Sequence, residues 1–260
     1  MTKLFRQSRR NSPEEITLSA DPPVSEAEAL QFLSEADITA CEPIDWGSNY
    51  SFAVVLRHDD IQRLAIYKPR RGEVPLWDFP NGTLYKREVA SYLTSQALGW
   101  DFIPTTVIRD GPYGVGSVQL YVDSDSKADP RSFRHRNLAT LVRMALFDIF
   151  ANNADRKMTH FLHDPGGRLW GIDHGLTFNV EPKLRTVIWE FCGEPIPEDV
   201  LAEMQAFLAN PDRTRALTDQ LTELLSKEEI KRFISRFERL LKLGKFPNLD
   251  PYRNVPRGFW

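Results

Sequence analysis

The sequence predicts an α+β fold in two lobes: an antiparallel-sheet N-lobe with one helix, then a mainly helical C-lobe that carries a hairpin. Three observations predict it. Short β-rich runs dominate from Ile38 to Val122, a charged aperiodic stretch occupies 123–136, and helical periodicity takes over beyond it. With 260 residues, 42% hydrophobic and 27% charged, the chain is long enough for one large core or two lobes.

Residues 1–23 are polar and aperiodic and read as a mobile tail. The N-lobe is expected over 24–122. Ser25-x-x-Glu28 has the form of a capping box, and Leu30, Leu33 and Ala36 supply part of an apolar face for a short helix. Strands follow over Ser51 to Leu56 and Leu64 to Lys68, with Asp59-Asp60 as their turn. A helix runs from about Thr83 to Leu98, and Gly99 is placed to end it. Two more strands, Thr105 to Arg109 and Val115 to Val122, flank the turn-rich Asp110 to Gly114. The linker is placed at 123–136 and the C-lobe at 137–260. In the C-lobe, helices are expected at Leu138 to Asn152 and near 197–208, 212–224 and 227–242, the last opened by Ser226-x-x-Glu229. Residues from Pro247 to Trp260 read as an irregular strap docked by Tyr252, Phe259 and Trp260.

Composition narrows function. A net charge of −3 gives no global basic field for nucleic acid or anionic membrane, so an anionic ligand needs a local site. The apolar run Met144 to Phe150 is far short of a membrane span and is interrupted by Asp148. The N-terminus lacks the apolar segment of a secretory signal, so a cytoplasmic location is expected. A monomer is expected as well. Cys41 and Cys192 are far apart in sequence and have no C-x-x-C partner, which argues against disulfides and thiolate metal sites.

The segment from Asn152 to Gly175 carries the most chemistry. Pro165-Gly166-Gly167 is a turn signal, so its flanks should pair and bring Asp173 back beside Thr159 or His160. Asp155 then lies just beyond the open end of the hairpin, and two carboxylates reach one small volume. They would repel unless a cation neutralised them, and magnesium prefers one or two carboxylates together with phosphate oxygens. The plain alternative is that Asp155 caps a turn and Asp173 ends a strand. A second pair is Lys68, with its stem on the side of Leu64 and Ile66, and Glu88, on or beside the helix stripe Tyr85, Val89, Tyr92 and Leu93. A half-buried carboxylate there needs a cation, and Lys68 is available. Third, the turn Trp46-Gly47-Ser48-Asn49-Tyr50 could fold over phosphates, although such turns are more often simple connections.

Taken in order, the Gly47-Ser48-Asn49 turn, Lys68, Glu88, the strand Gln119-Leu120-Tyr121-Val122, Asn153-Ala154-Asp155-Arg156 and Ile172-Asp173-His174-Gly175 form a pattern. It resembles the phosphatidylinositol 3- and 4-kinase-like superfamily, in particular type II lipid kinases, HipA-like toxin kinases and Golgi secretory kinases, in a bacterial branch. The resemblance covers roughly residues 40–180. It implies a protein-kinase-like fold with ATP between the lobes, Asp155 orienting the acceptor and Asp173 binding the nucleotide's Mg2+ or Mn2+. It further implies Lys68 on the α- and β-phosphates, held by Glu88. Ser48 and Asn49 would lie over the triphosphate, and Tyr121 and Val122 at the adenine hinge. His160 stands where the pattern has an asparagine metal ligand, and imidazole suits manganese better than magnesium. The acceptor, whether protein, lipid head group or small molecule, is left open, with Lys183, Arg185 and Trp189 as candidates to meet it. Competing readings are a nucleotide-binding pseudokinase, a nucleotidyltransferase, and a metal-dependent hydrolase using His160, His163, Asp173 and His174.

Overall fold

The computed structural model describes residues 25–44, 49–124 and 137–256. The tail, Ser48, nearly all of the linker and the pair Phe259 and Trp260 lie outside the described residues.

Helix α1 (Glu26–Glu35) begins where the capping pattern places it, with the Ser25 hydroxyl accepting from the Glu28 N–H at 3.2 Å. Its C-terminal carbonyls are closed from outside the helix: Arg109 donates to Leu33 O and Ala36 O, both at 2.8 Å. Strands β1 (Asp37–Ile44), β2 (Ser51–His58), β3 (Ile61–Pro69), β4 (Thr106–Gly111) and β5 (Gly114–Leu120) form one antiparallel sheet in the order β1-β2-β3-β5-β4. Leu33 and Ala36 pack with Val54, Leu56, Ala65 and Val118 of the sheet, so α1 is a structural cover. The last strand stops at Leu120, which leaves Tyr121 and Val122 just beyond it.

Helix α2 (Leu84–Leu98) ends at Gly99, whose φ of 70° makes it the left-handed cap the sequence predicts. It buries polar groups as well as apolar ones, among them Arg87, Glu88, Ser91 and Ser95. The helix is wedged between the sheet and the C-terminal part, so no face is left for solvent along much of its length. Each buried polar group then needs a partner across the contact.

The C-terminal part is built around α3 (Leu138–Phe150), whose Phe147 and Phe150 are fully buried. Phe150 meets Phe233 and Phe237 of α6 (Lys227–Leu243) at ring separations of 5.8 and 5.0 Å. Helices α4 (Glu198–Leu208) and α5 (Pro211–Thr222) complete this core through Met204, Phe207, Leu217 and Leu221. The expected capping box at Ser226 and Glu229 is present at the start of α6, and Gly244 ends that helix in the left-handed region. Strands β6 (Phe161–His163) and β7 (Leu169–Gly171) form the hairpin, which pairs Phe161 with Gly171 and turns through Gly167 at φ 84°.

The strap differs from expectation. Tyr252 is 96% exposed, and the segment is held by Asn254 instead, whose side-chain amide donates to Leu184 O at 2.6 Å and accepts from the Asp250 N–H at 2.7 Å, while its main-chain carbonyl accepts from the Thr186 N–H at 2.9 Å. An amide satisfies two backbone groups of an irregular segment at once, which an aromatic ring cannot do.

Candidate active site

Lys68 lies near the end of β3, and its ammonium reaches two carboxylates: Glu88 Oε1 of α2 at 2.5 Å and Asp173 Oδ1 at 3.0 Å. Burial opposes the charge on Lys68, but the fields of Asp173 and Glu88 outweigh it and hold the ammonium above its ordinary range. Glu88 is fully buried rather than half-buried, and its second oxygen accepts from the His174 N–H at 2.9 Å. One glutamate therefore fixes both the lysine and the backbone beside Asp173.

The hairpin delivers Asp173 as its register requires. The ladder continues past β7 through Ile172 N–H to His160 O at 3.0 Å, and His160 Nε2 lies 3.3 Å from Asp173 Oδ2. Asp173 has φ 61°, a left-handed conformation that aspartate tolerates better than most residues, and its side chain stays half exposed. The charge of Lys68 holds its carboxyl well below the usual carboxylate range, against the effect of burial. His160 is buried in a 3-10 turn over Met158–His160, and burial lowers its pKa to about 4, so its ring is neutral at pH 7. A neutral ring and an ionised carboxylate are a donor set that a divalent cation fits.

Asp155 occupies the loop before that turn. Its N–H donates to Asn153 Oδ1 at 3.1 Å, and its carboxylate pairs with Lys157 at 2.8 Å. Burial raises its pKa above the ordinary value; Lys157 pulls the other way, and the Asp173 charge adds to the rise. The two aspartates thus feel each other's field, as the folding of the hairpin implies.

The supporting groups were not all foreseen. Asp148, noted in the sequence only as a break in an apolar run, is fully buried on α3 and pairs with Arg156 at 2.9 Å. Arg156 also donates to Ile172 O at 3.0 Å and to His174 Nε2 at 2.6 Å, which ties the Asp155 loop to the Asp173 segment. Burial, with the Arg156 charge next, pushes the His174 pKa well below its ordinary value, so the ring accepts that bond as a neutral imidazole. Asn153 donates to Asp148 at 2.8 Å, and Asn152 at φ 55° binds the carbonyls of Asn179 and Glu181. The signal for Asp148 was present: a lone carboxylate inside an apolar helix needs a cation, and an arginine stands next to Asp155.

The remaining candidates fall in different places. Asn49 accepts from the Val74 N–H at 2.8 Å, so its side chain is tied to the β3 to α2 connection. The Tyr121 N–H donates to Leu64 O at 3.1 Å, whereas the Val122 N–H takes no backbone partner among the described residues. Lys183 pairs with Asp78 at 3.0 Å and lies 4.9 Å from the Trp77 ring, and Arg185 leans on Ala154 O at 3.4 Å. Trp189 donates to Thr186 O at 2.7 Å. His163 meets Asn137 at 3.1 Å, and no group of three or more His, Cys, Asp or Glu gathers among the described residues. The hydrolase reading therefore finds no ligand set there.

An antiparallel sheet with an adjoining helix, followed by helices and a hairpin, is the architecture of kinase-like proteins, and solved structures bear this out at the level of fold. Hydra Fam20, solved with sugar, superposes with a TM-score of 0.58 at 13% identity over 85% of this chain and 88% of that one. The Golgi casein kinase with Mn and ADP bound gives 0.54 at 15% identity over 84% and 74% of the two chains, and a second structure of that kinase gives 0.52 at 14% over 86% and 80%. Among sequences, the chain is 35% identical over 262 aligned positions to Protein Rv2133c of Mycobacterium tuberculosis, covering 86% of this chain and 92% of that protein. It belongs to the family of that mycobacterial protein. No family model matches the chain.

Proposed function

We propose that this protein is an ATP-dependent phosphotransferase of the phosphatidylinositol 3- and 4-kinase-like type. The observation that carries the reading is the Lys68 ammonium held between Glu88 and Asp173. Three residues from a strand, a helix and a hairpin end converge there, an arrangement that suits phosphate oxygens and a cation better than it suits stability alone. That one fold neighbour was solved with Mn and ADP supports nucleotide and metal use here.

In this reading Lys68 meets the α- and β-phosphates, and Asp173, with His160 beside it, holds Mg2+ or Mn2+. The bound ion supplies charge neutralisation at the phosphate oxygens. Asp155 orients the acceptor hydroxyl and receives its proton; its raised pKa suits a group that must accept a proton late in the transfer. The Val122 N–H, with Tyr121 beside it, is assigned to adenine, and Asn49 to the triphosphate side, with Ser48, outside the described residues, as its companion. Arg156, Asp148 and His174 act through Asp155 and Asp173 as positioning residues.

The test pairs nucleotide binding, by calorimetry with ATP and manganese, with transfer of labelled γ-phosphate into lipid, protein and small-molecule fractions of a cell extract. Asp155→Asn is expected to lower transfer by about 10²-fold or more and spare binding, while Asp173→Asn weakens binding as well. Normal transfer by both variants overturns the assignment. Because His160 departs from the usual asparagine, a pseudokinase is the second reading, and binding without transfer into any fraction supports it.

A further inference from the structure

A cavity of about 500 Å³ opens between the 3-10 turn Arg70–Gly72, the connection that leads to α2, and the β4 to β5 turn at Tyr113 and Gly114. Lys68, Asp155 and Asp173 do not line it. Its walls are mostly apolar, with Val74, Pro75, Leu76, Phe79 and Leu84 among them, and Glu73 and Asn81 add polar groups. Exposed apolar groups gather around it: Tyr113 is 46% and Val74 41% exposed, and Tyr50, 71% exposed, is bonded through its N–H to Gly72 O.

Two arginines stand at this apolar space. Arg70 and Arg71 are both exposed, and among the described residues neither guanidinium makes a hydrogen bond or an ion pair. Glu73 also lines the cavity but makes no ion pair with either arginine: its Oε1 accepts from the Tyr85 N–H at 2.9 Å and its Oε2 is buried without a hydrogen-bond partner, so one carboxylate stands against two guanidiniums there. Arg70 is seated by a specific feature: Gly82 has φ 72°, and a Cβ there would lie 2.5 Å from Arg70 Nε. In a chain with net charge −3, two adjacent unpaired guanidiniums beside an apolar cavity make a local anion site with a greasy floor. The volume falls in the range of small-ligand sites, which combine apolar walls with a few polar anchors.

We propose that this cavity binds a small anion with an apolar body, its phosphate or carboxylate end on Arg70 and Arg71 and its body against Leu76 and Phe79. Charge complementarity selects the anionic end and the lining selects the body. Lys68, Asp155 and Asp173 do not line the site, which adjoins the residues assigned to phosphoryl transfer only through the bond from the Val74 N–H to Asn49 and the packing of Phe79 and Leu84 on Ala154.

The experiment is calorimetric titration of the full chain with monomeric octyl phosphate, with inorganic phosphate, octanol and phosphatidylglycerol vesicles as separate arms. Octyl phosphate is expected to bind one to one, with inorganic phosphate and octanol at least about tenfold weaker. The surface variant Arg70→Gln/Arg71→Gln should lose about tenfold or more in octyl phosphate affinity, and Leu76→Asp should lose a similar amount. An unchanged urea midpoint in the arginine variant shows that it is folded, whether or not ATP binds. Unchanged binding in both variants overturns the proposal. So does inorganic phosphate binding as tightly as octyl phosphate, or binding to vesicles without binding to the monomer.

Discussion

Asp148 and Arg156 illustrate how a single buried pair can govern the site. Both side chains are fully buried, and the guanidinium spends its remaining donors on Ile172 O and His174. Removing one partner leaves an uncompensated charge, so Asp148→Asn is expected to destabilise the protein by about 3 to 5 kcal/mol, read as a lower urea midpoint. Replacing both, as Asp148→Leu/Arg156→Met, should recover most of that stability, because an apolar pair of similar volume is often as stable as a buried ion pair. Phosphate transfer should not recover with it, since the links to Ile172 and His174 are gone. Equal recovery of transfer and stability would show that the pair holds up the core and nothing more. Of this network the sequence disclosed only the anomaly, a carboxylate in an apolar helix; its partner lies 8 residues on, past the end of α3, and only the chain reversal there brings the two together.

At the scale of elements, local chemistry decided most boundaries. Ser25 and Ser226 begin helices and Gly99 and Gly244 end them because capping is a transaction among a few neighbouring residues. Ser226→Ala should lower stability by about 1 kcal/mol with no change in nucleotide affinity, checked by denaturant melts and calorimetry on one preparation. The hairpin was equally legible, since the turn signal Pro165-Gly166-Gly167 centres the pairing and so places Asp173 within a residue of its partner His160. Less legible was Glu88: α2 has a weak apolar stripe, and that the carboxylate is wholly buried depends on elements distant in sequence packing around it. Tyr252 failed as an anchor for the opposite reason, because an aromatic ring in an irregular segment has no local pattern to say which way it faces.

For the molecule as a whole, α2 is the joint. Arg87 donates to Thr177 O at 2.6 Å and pairs with Glu229 at the start of α6, and it is buried there. Burial alone would raise the Glu229 pKa, yet the Arg87 charge and the hydrogen bonds from Arg87 and Ser226 outweigh it, so the folded value lies below the ordinary 4.5. A depressed folded pKa contributes stability that is present above the unfolded value and is lost as pH falls through the folded one. Stability should therefore decline on acidification below about 4.5, and Glu229→Gln should reduce that part of the decline while lowering stability at neutral pH; parallel pH series of urea melts test both.

By itself the sequence determined the two-part α+β order, the capped helices, the hairpin and the residue types gathered near its ends, because each is written in interactions among near neighbours. Tertiary structure alone decided that Lys68 answers to Asp173 as well as Glu88, a partner 105 residues away. It also decided that Arg156 bridges Asp148 and His174, and that Arg70 and Arg71 stand together at a largely apolar cavity. Spacing along a chain fixes which backbone groups bond, whereas the pairing of buried charges depends on which surfaces the packed elements bring face to face.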